Sequence, residues 1–366
     1  MTRDDTFAKI LKSIPKTKNV RLHLAPRFGK TKLIIELIKR DDPLSILWVT
    51  PSRKLAEEDI PTEFEKWGGS EYLNRLEMTT WSSLKKCEGQ YDLIVLDEEQ
   101  FATEKNCVQF LNRKLKGRKI SMTGTPSNRS DKEAILYDIG MRKIAYTLSI
   151  EEAISMNIIS DFEIIILAIG LSDGPCSAEY GSRSEKNVYE MLDKKAKQSY
   201  NSRGSIPYEV IARSNFIKKS STKLRLAKLV LEKLCKGRTL IFAPSIDYAE
   251  ELCEHTYHSK SCSKDSLDKF QNKEINKLAM VRSGSVGYTY EGVEFVLIMQ
   301  MDSNKTGLST QKLARSLLKE GDKKVKVFII ALDNTQDMNW ISDSLSDFSR
   351  DRLSLEKVNN NVLQDY

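Results

Sequence analysis

Runs of apolar residues that stop abruptly at polar or glycine-bearing turns recur along this chain. The sharpest is Leu93-Ile94-Val95-Leu96, preceded by Tyr91 and followed by Asp97, Glu98, Glu99 and Gln100. A continuous apolar run of this length predicts a strand covered on both faces, as in a mostly parallel sheet. Val20 to Leu24 also reads as a strand; it leads through a short turn into Leu33, Ile34, Ile35, Leu37 and Ile38, whose spacing is helical. Ser45 to Val49 and Lys119 to Thr123 are further strands, and Phe7, Ile10 and Leu11 mark a leading helix. In the second half Thr239 to Ala243, Phe295 to Asp302 and Val325 to Leu332 repeat the pattern. Strands alternating with helices predict an α/β fold with helices on both faces of its sheets. Two stretches break the rhythm. Residues 171–222 are rich in Ser, Gly, Lys and Asp around one helical patch, Val188 to Leu192, and read as a surface insertion or hinge. Residues 342–366 carry a weak amphipathic pattern at Leu345, Phe348, Leu353 and Leu355, which predicts a terminal helix.

Chemistry gathers at the strand ends, where such sheets place their ligands. The turn after the first strand ends in Gly29, Lys30 and Thr31. There a glycine admits a phosphate to the backbone, the helix N-terminus cradles the anion, the lysine reaches the outer phosphate oxygens and the threonine can hold Mg²⁺. Arg27, Phe28, Gly29, Lys30, Thr31 and Lys32 are the candidate nucleotide-binding residues. The G-x-x-x-x-G-K-[ST] pattern is incomplete, because Leu24 occupies its first glycine position. At the acidic strand end, Asp97 is a candidate Mg²⁺ ligand and Glu98 a candidate for orienting or deprotonating a water.

Four stretches in order carry a family resemblance: the Gly29-Lys30-Thr31 turn, Thr50-Pro51-Ser52-Arg53, Asp97-Glu98-Glu99-Gln100, and Thr123-Gly124-Thr125-Pro126. Together they resemble the superfamily 2 helicases and translocases. The first is similar to the family's Walker A and the third to its Walker B box. The second resembles motif Ia, which holds a nucleic-acid backbone, and the fourth motif III, which couples hydrolysis to strand binding. Thr147 to Ile154 is similar to the segment leading out of the first lobe in phage recombination helicases and restriction-type translocases. In the second half, Thr239 to Ser245 resembles motif IV, Ser283 to Thr289 motif V, with Gly287 or Gly292 as its glycine, and Gln311 to Leu318 motif VI.

The resemblance implies two tandem RecA-like domains that bind ATP and Mg²⁺. It implies catalytic roles for Lys30, Asp97, Glu98, Gln311 and Arg315, with Gly287 at the nucleotide and Gln100, Thr123, Gly124 and Thr125 in coupling. It places nucleic acid on Pro51, Ser52, Arg53, Thr80, Trp81, Pro244 and Ser245; Trp81 either stacks on a base or packs beneath its loop. The expected division is 1–160 and 223–340 for the two lobes, 161–222 for a strand and insertion between them, and 341–366 for a helical tail. The sequence departs from the family at two points. Motif VI has Ala314 for glycine and Leu318 for its last arginine, the group that stabilises a transferring phosphoryl. No glutamine precedes the turn to read adenine, so specificity for that base is implied by the family alone.

Composition changes this picture little. The chain has 366 residues and a formal charge of +7 from 58 Lys and Arg against 51 Asp and Glu, a mild bias towards a polyanion. DNA rather than RNA is the expected track, on resemblance alone. The expected protein is a monomer, with partners of a recombination or restriction complex as a further expectation. The six cysteines show no C-x-x-C and no secretory framework, as reduced cytosolic thiols would. Cys253, His255, His258 and Cys262 have zinc-like spacing but read as structural. No run approaches the ~20 apolar residues of a membrane span, so a soluble, cytoplasmic protein is expected.

Overall fold

The computed structural model describes residues 2–124, 126, 130–174, 176, 181–199, 207–258, 260–261, 264–281, 290–301, 324–346 and 348–363. The chain forms two compact units that divide between Ile159 and Ser160.

The first unit is a six-stranded sheet of β1 (Val20–Leu24), β2 (Ile46–Thr50), β3 (Leu76–Thr80), β4 (Gln90–Asp97), β5 (Lys116–Thr123) and β6 (Ile144–Leu148). Its spatial order is β3-β2-β4-β5-β1-β6, and every pairing is parallel. Helix α1 (Arg3–Ser13) starts in a capping box made by Thr2 and Asp5. Helix α2 (Lys30–Asp41) buries Leu33, Ile34, Ile35, Leu37 and Ile38, as its sequence period requires. The carboxyl ends of β1, β4 and β5 are neighbours in this order, so the Gly29, Asp97 and Thr123 turns open on one edge of the sheet.

The second unit is a seven-stranded parallel sheet of β7 (Phe162–Ile169), β8 (Thr239–Phe242), β9 (Thr256–Tyr257), β10 (Lys277–Met280), β11 (Phe295–Ile298), β12 (Val325–Leu332) and β13 (Leu353–Val358). Their order is β13-β7-β12-β11-β8-β10-β9. The two sheets together are the two tandem RecA-like domains expected from the sequence.

Two expectations are corrected here. The stretch read as an insertion belongs to the second unit. β7 pairs along its full length with β12, and helices Glu185–Ser199 and Tyr208–Lys218 put Val188, Tyr189, Leu192, Phe216 and Ile217 into the core. The helical patch read at Val188 to Leu192 is thus part of a core helix, which the charge around it masked. The tail expected to be helical instead supplies β13, paired with β7 from Leu353↔Ile164 to Val358↔Ile169. Leu353-Ser354-Leu355-Glu356-Lys357-Val358 is too short and polar to show its period against a helical reading, and the pairing decides it.

Candidate functional site

The turn between β1 and α2 is built for close approach. Arg27 (φ 68°) and Gly29 (φ 103°) both take the left-handed conformation, and Gly29 is the N-cap of α2. The first helical hydrogen bond runs from Leu33 N–H to the Gly29 carbonyl at 2.9 Å, and no side chain caps the helix. The amides of Lys30, Thr31 and Lys32 are therefore the donors such a terminus offers an anion. The Phe28 side chain is fully buried, with its ring centroid 6.1 Å from Phe7, so only its backbone can serve a nucleotide. Lys32 leans over the Trp67 ring, 4.3 Å from its centroid, along the flank of the helix. Arg3 of α1 braces the turn from outside, donating to the Phe28 carbonyl at 3.0 and 3.2 Å and to the Arg27 carbonyl at 3.3 Å.

β4 brings the acids to the same edge. Lys30 Nζ donates to Glu98 Oε1 at 2.9 Å, Gln100 Nε2 donates to Glu98 Oε2 at 2.8 Å, and Thr123 Oγ1 donates to Gln100 Oε1 at 2.6 Å. One hydrogen-bonded line thus joins the phosphate turn, the acidic strand end and the end of β5. A Cβ on Gly124 would come 3.0 Å from Lys30 Nζ and 3.4 Å from the Leu24 carbonyl, so the absence of a side chain there leaves the lysine its place. Glu98 has φ 51° and ψ 63°, left-handed for a residue with a Cβ, at a cost of about 1–2 kcal/mol. Burial first, and then the neighbouring Glu98 charge, push the Asp97 carboxyl up to about 7, against the pull of Lys30. A divalent cation would reverse that. Two adjacent carboxylates and the Thr31 hydroxyl offer hard oxygen donors, and the residues present fit Mg²⁺ on this chemistry.

Glu99, given no role in the sequence reading, is buried with 1% of its surface exposed. It accepts from Arg21 and His23 of β1 and from Ser121 of β5. Burial raises its carboxyl, but the bonds from His23, Arg21 and Ser121 and the arginine charge outweigh that and hold it below the usual carboxylate range. A signal for this cluster was present in the sequence: Arg21 and His23 interrupt a strand whose five residues are all buried. A buried charge of this kind requires a partner.

The loops after β2 and β3 form a second site within the same unit. A cavity of about 570 Å³ is lined by Arg53, Ala56, Glu57, Met78, Thr79, Thr80, Ser83 and Lys86. Its lining holds two cations, three hydroxyl residues and one acid, Glu57; the cations and hydroxyls are of the kind that contact a phosphate backbone. Thr80 Oγ1 lies 3.0 Å from both the Ser82 and Ser83 hydroxyls, and the Ser52 hydroxyl accepts the Leu55 N–H at 3.4 Å. Trp81 takes the packed one of its two readings. It is 3% exposed among Leu47, Val49, Leu84 and Leu96, and its Nε1–H donates to the Asp97 carbonyl at 2.9 Å. An indole held this way has no face for a base.

In the second unit, Pro244 and Ser245 follow β8, and Ser245 caps the helix Ile246–Leu252 by accepting the Tyr248 N–H at 3.4 Å. Cys253, His255 and His258 lie around β9; Cys262 falls outside the described residues, as do Thr125, Gly287, Gln311, Ala314, Arg315 and Leu318. Among the described residues, no helix is long and apolar enough to cross a membrane.

No protein-family model and no curated protein matches the chain. Solved structures do match in fold. The chain superposes on the ATP-dependent type ISP restriction-modification enzyme LlaBIII bound to DNA with a TM-score of 0.62 at 12% identity, covering 99% of this chain. It spans about a third of that protein, 31% of its length. The helicase domain of Hef from Pyrococcus furiosus gives a TM-score of 0.53 at 13% identity, covering 93% of this chain and 97% of that one. A variant of Dbp5 from S. cerevisiae, bound to RNA and ADP BeF3, gives 0.57 at 12% identity, covering 99% and 91%. The fold of two tandem RecA-like domains is shared with these structures.

Proposed function

We infer that this chain, with the fold of a superfamily 2 helicase, is a nucleic-acid-dependent ATPase that translocates on DNA. The observation that carries the reading is the line Lys30, Glu98, Gln100, Thr123, which joins a phosphate-binding turn to a carboxylate and then to the motif III strand. The amides of Lys30, Thr31 and Lys32 would cradle the ATP phosphates, with Lys30 on the outer oxygens. Thr31 and Asp97 would hold Mg²⁺, which when bound neutralises developing charge on the phosphates. Glu98 then orients and deprotonates the attacking water, and Gln100 with Thr123 and Gly124 reports the state of the phosphate to the strand-binding side. The motif resemblance assigns Gln311 and Arg315 to the transition state and Gly287 to the nucleotide; all three lie outside the described residues.

Nucleic acid is assigned to the cavity of Arg53, Thr80, Ser83 and Lys86 and to the Pro51-Ser52 turn, with Pro244 and Ser245 on the second unit. Backbone contacts of this type hold a strand without reading its sequence. DNA is preferred because LlaBIII, whose structure covers nearly all of this chain, is bound to DNA; RNA on Dbp5 keeps the other track as an outcome of the test. The same comparison, with most of LlaBIII lying beyond the matched region, supports a motor that works within a larger restriction or recombination assembly.

Leu318 in place of the last motif VI arginine motivates a second reading, a nucleic-acid-binding protein with impaired turnover. Phosphate release from ATP, compared for the wild-type chain and Glu98→Gln with and without DNA, separates the two. The motor releases phosphate only with Glu98 present and faster on DNA. The binding protein holds nucleotide and DNA in both forms and releases none.

A further inference from the structure

Glu99 is the least exposed acid of the Asp97–Gln100 run and takes no part in the roles assigned above. Arg21 Nε donates to its two oxygens at 3.2 and 3.1 Å, Arg21 Nη2 donates at 2.7 Å, His23 Nε2 lies 3.0 Å away, and the Ser121 hydroxyl completes the set. Arg21 is itself fixed from the other side by Glu133 at 2.6 and 2.8 Å. The strand register explains the convergence. Arg21 is the cross-strand partner of Ser121 and His23 that of Thr123, so alternate residues of β1 and β5 present one polar face to the turn after β4.

An apolar side chain could fill that space without the desolvation cost of a buried carboxylate. What the carboxylate adds is direction. It ties the residue after Glu98 to two strands, one leading to the phosphate turn and the other to Thr123. Glu98 meanwhile sits in a left-handed conformation that its own side chain does not cap. We propose that Glu99 is a positioning residue for hydrolysis: anchored on Arg21, His23 and Ser121, it holds the Glu98 turn so that the Glu98 carboxylate stays on Lys30 and Gln100. The proposal rests on Glu98 as the catalytic base.

The test uses the full chain as wild type, Glu99→Gln, and the double variant Arg21→Met with Glu99→Leu. Glu99→Gln keeps shape and removes charge; the double variant replaces the ion pair by an apolar contact. Amide exchange is read at Phe101 and Ala102, whose N–H groups bond to the Glu98 and Glu99 carbonyls at 2.9 and 3.0 Å. Phosphate release, melting temperature and Mg²⁺-free ADP affinity are read beside it. In both variants exchange at these amides rises about tenfold and phosphate release falls about 10–100-fold. ADP affinity without Mg²⁺ stays within about twofold, because the β1–α2 turn is untouched.

A purely structural Glu99 predicts instead that the double variant, once as heat-stable as wild type, regains full release with normal exchange. That result, or unchanged release and exchange in Glu99→Gln, overturns the proposal. If the wild-type chain releases no phosphate on any polymer, the assignment of the base fails. The exchange comparison then decides by itself whether Glu99 holds the turn.

Discussion

Trp81→Phe isolates one hydrogen bond that the sequence alone could not assign. The substitution keeps an aromatic ring in the core of the first unit and deletes the Nε1–H that donates to the Asp97 carbonyl at 2.9 Å. Leaving a buried carbonyl without its donor costs about 1–3 kcal/mol. The smaller ring adds about 1 kcal/mol for roughly 40 Å² of lost apolar burial at about 25 cal/mol per Å². The sum, about 2–4 kcal/mol, lowers the melting temperature of a unit of this size by roughly 5–15 °C. Scanning calorimetry of the wild-type and variant chains measures it, and a DNA-binding titration accompanies it. The expected result is a clear drop in melting temperature with DNA affinity nearly unchanged. A variant that melts within a degree of wild type while losing DNA affinity would mean that the indole faces a base and that its burial has been misread.

Other expectations follow from buried charges and from the last strand. Lys223 and Asp337 form an ion pair at 2.5 Å with neither side chain exposed, and Lys223 Nζ also donates to the Met299 carbonyl at 3.0 Å. Lys223→Met should therefore destabilise the second unit by roughly 3–5 kcal/mol in urea unfolding, and pairing it with Asp337→Leu should recover most of the loss. Asp41 is raised by burial, but the Arg40 and Arg118 hydrogen bonds outweigh this and hold it below its ordinary 3.8. A depressed folded-state pKa contributes stability that is present above the unfolded value and is lost as pH falls through the folded one. The stability gap between wild type and Asp41→Asn should accordingly be constant near neutrality and narrow as pH falls below about 4; a gap that does not narrow on acidification would contradict the pairing. Truncation before Leu353 removes β13 and bares the edge of β7, which should aggregate the chain on expression, as light scattering would record.

How far the sequence could be read depended on where free energy is local. β4, β8 and β12 announce themselves by apolar runs, as strands covered on both faces require, and the turns after β1 and β4 because phosphate and cation chemistry restricts residue types. Glu185–Ser199 was legible as a helical patch but not as core, since Val188, Tyr189, Leu192 and Ala196 are its only buried apolar residues. β13 was illegible because its identity comes from pairing with β7, a contact between residues far apart in the chain. The Glu99 cluster sits between these cases. Arg21 and His23 stood out of place in an otherwise apolar strand, but their common partner Glu99, just after β4, became visible only once β1, β5 and β4 were neighbours. Trp81 carried two readings that composition could not separate, and the packing of β2 and β4 against it chose one.

On the proposed function, the Lys30–Glu98 line hydrolyses ATP and is driven by nucleic acid. Phosphate release from ATP by the wild-type chain and by Lys30→Ala, each without polymer and with single-stranded DNA, duplex DNA or RNA, tests it most directly. Release should require Lys30 and rise at least about tenfold on a DNA substrate; equal release with and without Lys30, or none on any polymer while ATP remains bound, would refute the assignment.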